Sequence, residues 1–380
     1  MQTTTKIHTQ NLKIGMYVSS LDREREDTTI PLLGFFIANQ QQLQELQQLC
    51  EYVEIDTNRS IDSSEFATTF AQNMADIEVI PINDWSDNGP STLEPVQLLS
   101  HTERDSLPQV LELDFFNAFG EKETIRQNIT LFDEGQKPNR LFWQHNKMYL
   151  LVKGEVGIFV DGKKVSTIKA GEIFGELTPL ILTKRSATVV TNCECELFSL
   201  NESQLVSGLE KKPEFALLLM DILIKRLRQA VEDAKALGLP NDHKVSKSIR
   251  VFSNKMIREL KQKSDDSAVT HLLANQTIFR KGAIGMLMYV IIEGHVITCI
   301  DDKIIERSGP GCVIGEIALV DQNRRLAHVV AETDCSLLAI NRQLFLELVN
   351  TKPAFSTSLL QALASRLRFW RTGEPFQGDQ

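Results

Sequence analysis

The chain has 380 residues, a formal net charge of -9 and an ordinary hydrophobic fraction of 42%. This length suffices for two or three domains, and the acidic balance without lysine-rich blocks disfavours direct binding to DNA or to an anionic membrane. Six cysteines are too sparse for a secreted disulfide scaffold, and no basic and apolar leader opens the chain. We therefore expect a cytoplasmic protein. We also expect no membrane span, because the most apolar helical stretch, 215–227, is short and is broken by Asp221 and Lys225.

The segment 1–60 has the pattern of a small α+β domain. Apolar and polar residues alternate in "MYVSSL" and "GFFIA", and "NQQQLQELQQLCEYVEID" indicates a short helix that leads into a strand. Residues 78–108 are rich in Pro, Ser, Asn and Asp and show no sustained periodicity. We interpret residues 61–108 as a linker to the rest of the chain.

The remainder of the chain contains an internal repeat. Three segment pairs align with one constant offset in residue number: Met148 with Met288, Phe174 with Ile314, and Lys211 with Thr351, counting from the first residue of each segment. An offset that persists without a gap over three segments indicates two copies of one domain. We place these copies at residues 109–238 and 249–374.

Each copy begins with short strands and ends with a helix. Runs of β-branched and large apolar residues separated by glycines predict an antiparallel β-structure with tight turns. The following segments, which begin at Lys212-Pro213 and Lys352-Pro353, have apolar residues at helical spacing and basic residues on the other face. The predicted fold class is therefore mixed α and β and multidomain, with two β-roll, jelly-roll-like domains that each end in a C-terminal helix.

The stretch "FGELTPLILTKRSATVV" at Phe174 carries the chemistry of the first copy. Gly175 allows close approach of the backbone, and Glu176 offers a carboxylate that accepts hydrogen bonds from a hydroxyl. Arg185 offers a planar set of donors that suits a phosphate, and Ser186 adds a hydroxyl beside it. A ligand that combines a phosphate with a sugar diol would satisfy these groups together.

This stretch, and "IGEIALVDQNRRLAHVV" in the second copy, resemble the phosphate-binding cassette of cyclic nucleotide-binding domains. That family includes the catabolite activator protein and the regulatory subunits of protein kinase A. The resemblance implies that Glu176 and Glu316 bind the ribose 2′-hydroxyl and that Arg185 and Arg325 pair with the cyclic phosphate. It also implies contacts from Gly175, Leu177 and Ser186 in the first cassette and from Gly315, Ile317 and Ala318 in the second. Leu326 replaces the serine in the second cassette.

In this family the C-terminal helix covers the purine, commonly with an apolar or aromatic side chain. Phe369 and above all Trp370 are the candidates for the second cassette, and Val231 and Leu237 are weaker candidates for the first. An equally good interpretation is that Trp370 packs on its own β-roll or on a dimer partner.

The N-terminal region resembles the accessory domain that precedes many bacterial HD-GYP phosphodiesterases of cyclic-di-GMP. The match rests on "LKIGMYV", on the Gly-Phe pair near Phe35 and on "CEYVEID". The catalytic signatures of such enzymes are missing from the sequence. No nucleophile–base pair or metal-ligand spacing stands out, and the C-x-C pair at Cys193 and Cys195 has no second pair. We therefore expect no enzyme activity, no catalytic residues, no metal site and no cofactor.

The leading functional hypothesis is a bacterial sensor that binds a cyclic nucleotide and signals through its terminal helices to an unidentified protein partner. Cyclic AMP is the first candidate and cyclic GMP is compatible. A cyclic-di-GMP receptor that uses the same domains is one alternative, and a scaffold protein whose cassettes bind no nucleotide is another. Only a short tail follows Arg371, too short for a helix-turn-helix domain, so DNA is not an expected partner. The terminal helices are also candidates for a homodimer interface.

Overall fold

The computed structural model describes residues 4–21, 35–37, 40–57, 60, 106–138, 146–236, 245–263 and 268–373. These residues form an N-terminal α+β unit and two β-rolls with helices at their ends, which confirms the predicted fold class. Residues 61–105 of the predicted linker lie outside the described residues. Its last residues do not form a linker, because a helix begins at Ser106.

The N-terminal unit is a four-stranded antiparallel sheet with one helix. Its elements are β1 (Thr4–His8), β2 (Tyr17–Leu21), β3 (Phe35–Phe36), α1 (Gln40–Leu49) and β4 (Tyr52–Asp56). The strand order is β1-β4-β2-β3. Leu43 and Leu46 on one face of α1 pack against Val18 and Val53 of the sheet, because residues three apart share a helix face.

The first β-roll consists of two four-stranded antiparallel sheets, ordered β10-β7-β12-β5 and β6-β11-β8-β9. Its elements are α2 (Ser106–Phe119), β5 (Glu121–Ile125), β6 (Thr130–Phe132), β7 (Met148–Lys153), β8 (Glu155–Val160), β9 (Lys163–Lys169), β10 (Ile173–Phe174), α3 (Leu177–Ile181), β11 (Thr188–Thr191), β12 (Cys195–Leu200), α4 (Glu202–Lys211) and α5 (Glu214–Ala236). Leu151, Val156 and Leu197 fill the space between the sheets. Phe115 of α2 stacks on Phe215 of α5 with ring centroids 3.7 Å apart, which fixes the start of α5 against the roll.

The second β-roll repeats this plan. Its elements are β13 (Ser246–Lys247), α6 (Asn254–Lys263), β14 (Val269–Leu272), β15 (Thr277–Phe279), β16 (Leu287–Glu293), β17 (Val296–Ile300), β18 (Lys303–Ser308), β19 (Val313–Ile314), α7 (Glu316–Asp321), β20 (His328–Ala331), β21 (Cys335–Asn341), α8 (Arg342–Thr351) and α9 (Pro353–Thr372). The sheets are ordered β14-β21-β16-β19 and β13-β18-β17-β20-β15. The short strand β13 pairs in parallel with β18 and covers the outer edge of that strand. In the first roll the equivalent of β18 is β9, and among the described residues no further strand pairs with its outer edge.

The C-terminal helices begin at the predicted Lys-Pro pairs, where a preceding helix ends, and we call these two points the Lys-Pro hinges. Asn201 and Asn341 accept hydrogen bonds from the first-turn amides of α4 and α8, as helix-capping residues do. Lys212 ends α4 at φ -132° and ψ 73°, and Lys352 ends α8 at φ -132° and ψ 79°. Because a proline follows each lysine, the residue before it is driven from helical geometry, and a new helix starts in a new direction.

Helices α5 and α9 pack against each other between the two rolls. Leu223 and Leu227 of α5 and Leu363 and Leu367 of α9 are at most 1% exposed, and one continuous core joins both rolls through them. The packing is reciprocal, since α5 contacts the second cassette helix α7 while α9 contacts the first cassette helix α3. Part of the surface of both terminal helices, which are our candidates for a homodimer interface, is therefore buried inside one chain.

Candidate functional site

Each cassette is a tight turn between a two-residue strand and a short helix. Gly175 separates β10 from α3 at φ 73°, and Gly315 separates β19 from α7 at φ 80°. A side chain is strained at such angles, and a Cβ on Gly315 would press against the Arg325 guanidinium. In both cassettes the glutamate that follows this glycine is buried, and its carboxylate contacts an arginine of a terminal helix.

The two cassette arginines have the same surroundings. In the first cassette, Arg185 donates from Nη1 to the Gly175 carbonyl at 2.9 Å and from Nη2 to the Lys147 carbonyl at 2.7 Å. Its guanidinium lies over the Phe132 ring, 4.0 Å from the centroid. Arg185 is only 4% exposed, and burial lowers its pKa to about 10. The cation is thus held by backbone dipoles and by the face of an aromatic ring.

In the second cassette, Arg325 donates to the carbonyls of Gly315 and Leu287, both at 2.7 Å, and lies 4.1 Å from the centroid of the Phe279 ring. Burial likewise lowers its pKa to about 10. Its Nε atom is buried and has no hydrogen-bond partner among the described residues. A buried donor without a partner costs free energy, so this atom marks a place where an acceptor would be favoured.

The first cassette glutamate is paired with the terminal helix of its own domain. Glu176 is 2% exposed, and its Oε1 lies 2.7 Å from Nη1 of Arg226 on α5. Arg226 also donates to the Ile173 carbonyl. Burial alone would raise the pKa of Glu176, but the nearby Arg226 and Arg371 outweigh it and hold the pKa below its ordinary value.

The second cassette glutamate shares its arginine with another carboxylate. Nη1 of Arg366 on α9 donates to Glu316, while its Nε lies 3.1 Å from both carboxylate oxygens of Glu306 on β18. Nη2 reaches the Ser248 hydroxyl at 3.3 Å and the Val313 carbonyl at 3.2 Å. Burial is the main cause that raises the pKa of Glu316 above its ordinary value, and Arg366 opposes it only in part.

These terminal-helix arginines were missed in the sequence, although the repeat contains them. Arg226 and Arg366 are separated by the same repeat offset as Glu176 and Glu316, and both lie in an Arg-Leu-Arg triplet. The amphipathic pattern explained them as part of a solvated helix face. Glu306 had no such signal, because its equivalent in the first copy is Ser166, at the same place in the strand register.

A cavity of about 80 Å³ lies at the second cassette. Predicted residues Gly315, Glu316, Ile317, Ala318, Arg325 and Trp370 all line it, together with Phe369, Glu306 and Leu227. This volume is several times the space that one buried water needs. Phe369 is buried and meets Trp370 edge to face, with centroids 6.0 Å apart, so the end of α9 covers the cavity.

The other residues predicted for the site lie close to the two cassettes where the structure describes them. Leu177 is buried beside Glu176, and Ser186 is half-buried next to Arg185. Val231 is fully buried between the helices, and Leu237 lies outside the described residues. Trp370 also borders a second cavity of about 360 Å³ between α5 and α9, which Arg226 and Arg371 line. Trp370 therefore faces the groove beside the first cassette's Arg226 as well as the second cassette.

Two further properties concern only the described part of the chain. No described helix combines the length and the apolar character needed to cross a bilayer. Nowhere in the described ranges do three His, Cys, Asp or Glu side chains come together as ligands for a metal ion. Cys193 and Cys195 have free thiols, and burial raises the pKa of Cys195.

Comparison with protein families gives two matches. The model of the cyclic nucleotide-binding domain matches residues 122–212 and 269–352, and the model of DUF3391, a domain of unknown function, matches residues 4–85. The second match extends beyond the predicted boundary at residue 60, into the segment that we interpreted as a linker.

Among curated proteins, a Drosophila melanogaster cGMP-dependent protein kinase (isozyme 2 forms cD4/T1/T3A/T3B) is 26% identical over 216 residues, which cover 53% of this chain and 17% of the kinase. A cAMP-dependent protein kinase regulatory subunit from Mucor circinelloides f. lusitanicus is 20% identical over 246 residues, covering 62% of this chain and 49% of that protein. The chain thus spans less than half the length of either relative. Among solved structures, the regulatory domain of Toxoplasma gondii PKA with cAMP aligns over 68% of this chain and 97% of that chain, with 18% identity and a TM-score of 0.24.

Proposed function

Because this chain carries two cyclic nucleotide-binding domains in tandem behind an N-terminal DUF3391 domain, we propose that it is a non-enzymatic sensor of a cyclic nucleotide. The proposal rests mainly on the arrangement of polar groups around the cavity of the second cassette. There a buried arginine, with one N–H donor unpartnered among the described residues, and a buried carboxylate line the same cavity. These are the groups that a cyclic phosphate and a ribose hydroxyl require. Cyclic AMP is the first candidate, cyclic GMP is compatible, and cyclic-di-GMP is the alternative ligand.

The mechanism follows from the contacts of the two glutamates. A ribose hydroxyl that donates to Glu176 or Glu316 would share that carboxylate with Arg226 or Arg366, which contact the carboxylates in this structure, and would weaken the existing ion pair. Both arginines lie on the terminal helices, beyond the Lys-Pro hinges. Ligand binding would therefore change what holds α5 and α9 on their rolls, and a helix with two such positions is a switch that a ligand biases. The output would pass from these helices to a protein partner.

One observation favours a second candidate function, a scaffold that binds no nucleotide. The cassette arginines already donate to backbone carbonyls, and the cassette glutamates already have arginine partners. Such contacts could hold the two cassettes as purely structural elements. A guanidinium has five N–H donors, however, and a carboxylate accepts several hydrogen bonds, so these contacts do not exhaust either group.

Calorimetric titration with cyclic AMP, cyclic GMP and cyclic-di-GMP separates the two functions. We expect binding of one nucleotide by the wild-type chain and a loss of about a hundredfold in affinity, or about 3 kcal/mol, for Arg185→Ala or Arg325→Ala at the affected site. Lys184→Ala is the matched control for the first cassette, since it removes an exposed cation next to the cassette arginine. Circular dichroism of each variant checks that it is folded.

Absence of heat with all three nucleotides would establish the scaffold instead of the sensor. Equal affinity in the wild type and in the double variant Arg185→Ala/Arg325→Ala would show that the nucleotide binds elsewhere. Arg185→Lys and Arg325→Lys keep the charge but lose the planar set of donors, and we expect them to bind more weakly than the wild type.

A further inference from the structure

Helix α5 carries two arginines that reach two different cassettes. Arg226 contacts Glu176 of the first cassette at 2.7 Å. Two residues later, Arg228 places its Nε 2.5 Å from Oδ2 of Asp321 and its Nη2 3.2 Å from Oδ1. Successive helix positions are about 100° apart, so side chains two positions apart point in widely different directions. The helix can therefore hold the first cassette with one arginine and the second cassette with the other.

The contact with Asp321 reaches the loop that presents Arg325. Asp321 is the last residue of α7, and its carboxylate accepts hydrogen bonds from the backbone and side-chain amides of Asn323 at 3.0 and 3.2 Å. Arg228 also donates to the Arg324 carbonyl at 3.0 Å. Arg228 thus contacts both ends of the loop 321–324, immediately before Arg325. A two-pronged arginine–carboxylate pair fixes orientation as well as distance.

The ion pair between Arg228 and Asp321 is a partly buried contact between the two domains. Asp321 is 8% exposed, so the salt bridge with Arg228 is shielded from solvent and weakly screened by salt. The equivalent residue in the first cassette is Ile181, which cannot form an ion pair with α9. Two ion pairs on α5 therefore join the two cassettes. In the other direction, α9 brings the charge of Arg371 close to Glu176, but the Asp321 position of the first cassette holds an apolar residue.

The part of α5 that carries Arg226 and Arg228 is held by core packing. Leu223, Ile224 and Leu227 of α5 are at most 1% exposed, and they pack in the core that joins both rolls. A packed helix moves as a unit and does not bend locally, because its side chains interlock with their neighbours. A change at Arg226 is then carried to Arg228, which lies on the same rigid turn.

We propose that α5 couples the two cassettes, with Arg228 as a positioning residue that the first domain contributes to the second cassette. When the pairing of Glu176 with Arg226 changes, Arg228 shifts the loop 321–324 and thereby Arg325. This inference deepens the proposed function, on which it rests for its biological purpose, by linking the two candidate binding sites: the state of one cassette changes the competence of the other. The coupling itself is a property of the chain and can be measured without any nucleotide.

The test perturbs the first cassette and reads the second. Hydrogen exchange of the amides at residues 316–323 is measured in the full chain for the wild type, Glu176→Gln, Arg228→Ala and the double variant. Glu176→Gln keeps the shape of the side chain and removes the charge that pairs with Arg226. We expect it to speed exchange at 316–323 by about tenfold, within the range of about 5–150-fold typical for coupled sites. In the Arg228→Ala background the same change is expected to alter exchange by less than about twofold, since the connection is cut.

Two outcomes would overturn the coupling: unchanged exchange at 316–323 in Glu176→Gln, or an equal response with and without Arg228. Lys225→Ala is the matched control, since it removes an exposed α5 cation that pairs only with Asp221 on its own helix among the ion pairs of the described residues, and it should leave 316–323 unaffected. If Arg228→Ala does not fold, Asp321→Asn cuts the same connection from the other side. A parallel titration with cyclic AMP tests the proposed function separately, so a chain that is coupled but binds no nucleotide is distinguished from one that binds without coupling.

Discussion

The guanidinium of Arg366 is the counter-ion of two buried carboxylates, and its removal should be costly. Glu306 is 7% exposed and Glu316 is 1% exposed, and every nitrogen of the guanidinium contacts an acceptor in this cluster. Arg366→Ala leaves both carboxylates buried and without this cation. Breaking a buried ion pair costs about 3–5 kcal/mol, and we expect a loss of unfolding free energy at the upper end of that range at pH 7.

The repeat supplies a matched control for this prediction. Arg226→Ala removes the equivalent arginine of the first domain, where one carboxylate, Glu176, is left and where Ser166 replaces Glu306. The Arg226 side chain is also more exposed than that of Arg366, 24% against 13%, so solvent already shares in the first ion pair. We expect a smaller loss of about 2–3 kcal/mol for Arg226→Ala.

The pH dependence gives the prediction its sign. Without Arg366, burial and the nearby charge of Glu306 hold the folded-state pKa of Glu316 still further above the unfolded value of about 4.3. Groups with a raised folded pKa favour the folded state at low pH and lose that contribution as pH rises. The stability difference between the wild type and Arg366→Ala should therefore shrink as pH falls from 7 towards 5.

Urea denaturation followed by circular dichroism at pH 7 and pH 5 measures both quantities. A cost for Arg366→Ala no larger than that for Arg226→Ala would refute the role assigned to the second carboxylate. A stability gap that widens as pH falls would refute the charge argument altogether. The double variant Glu306→Ser/Arg366→Ala should recover part of the loss, because it removes one of the two uncompensated charges.

Three further predictions concern the cassettes. At pH 7, Glu176→Gln should destabilise the chain more than Glu316→Gln. The reason is that Arg226 and Arg371 hold the pKa of Glu176 below its ordinary value, whereas burial holds the pKa of Glu316 above it. In denaturation curves the loss of stability in Glu176→Gln should fade as the pH drops below about 4. Gly315→Ala should lower the unfolding free energy by about 1–3 kcal/mol, since φ is 80° and a Cβ would displace the Arg325 guanidinium; an unchanged melting temperature would contradict this. Phe279→Leu keeps the apolar character but removes the aromatic face under Arg325, and calorimetry should show a stability loss of about 1 kcal/mol that Phe279→Tyr does not share.

Much of the fold was predictable because the repeat and the hydrophobic periodicity point to the same answer. The constant offset between the repeated segments defined two equivalent domains, and the Lys-Pro pairs marked the helix breaks at Lys212 and Lys352. The helix at the start of the first β-roll domain was harder to predict from the sequence. Ser106 and Pro108 are typical of linkers, but proline is also tolerated in the first turn of a helix, and here it lies in the first turn of α2.

The sequence predicted only those residues of the candidate site that lie close together along the chain. Glu176 and Arg185 lie close together in one motif, and its recurrence in the second copy supported the interpretation. The ion pair between Arg228 and Asp321 joins residues 93 positions apart in different domains, and it depends on how α5 docks between the rolls. Hydrophobic patterning shows which face of a helix is buried but does not show which residue its polar edge will meet.

The reciprocal packing of α5 and α9 gives one chain the arrangement that a symmetric dimer would otherwise make from two. In a symmetric dimer every substitution appears twice, so both halves must tolerate it. A tandem duplication removes that constraint, and each half can diverge alone. Glu306 against Ser166, and Asp321 against Ile181, are such divergences. The covalent linkage between the rolls therefore allows the two copies to take unequal parts.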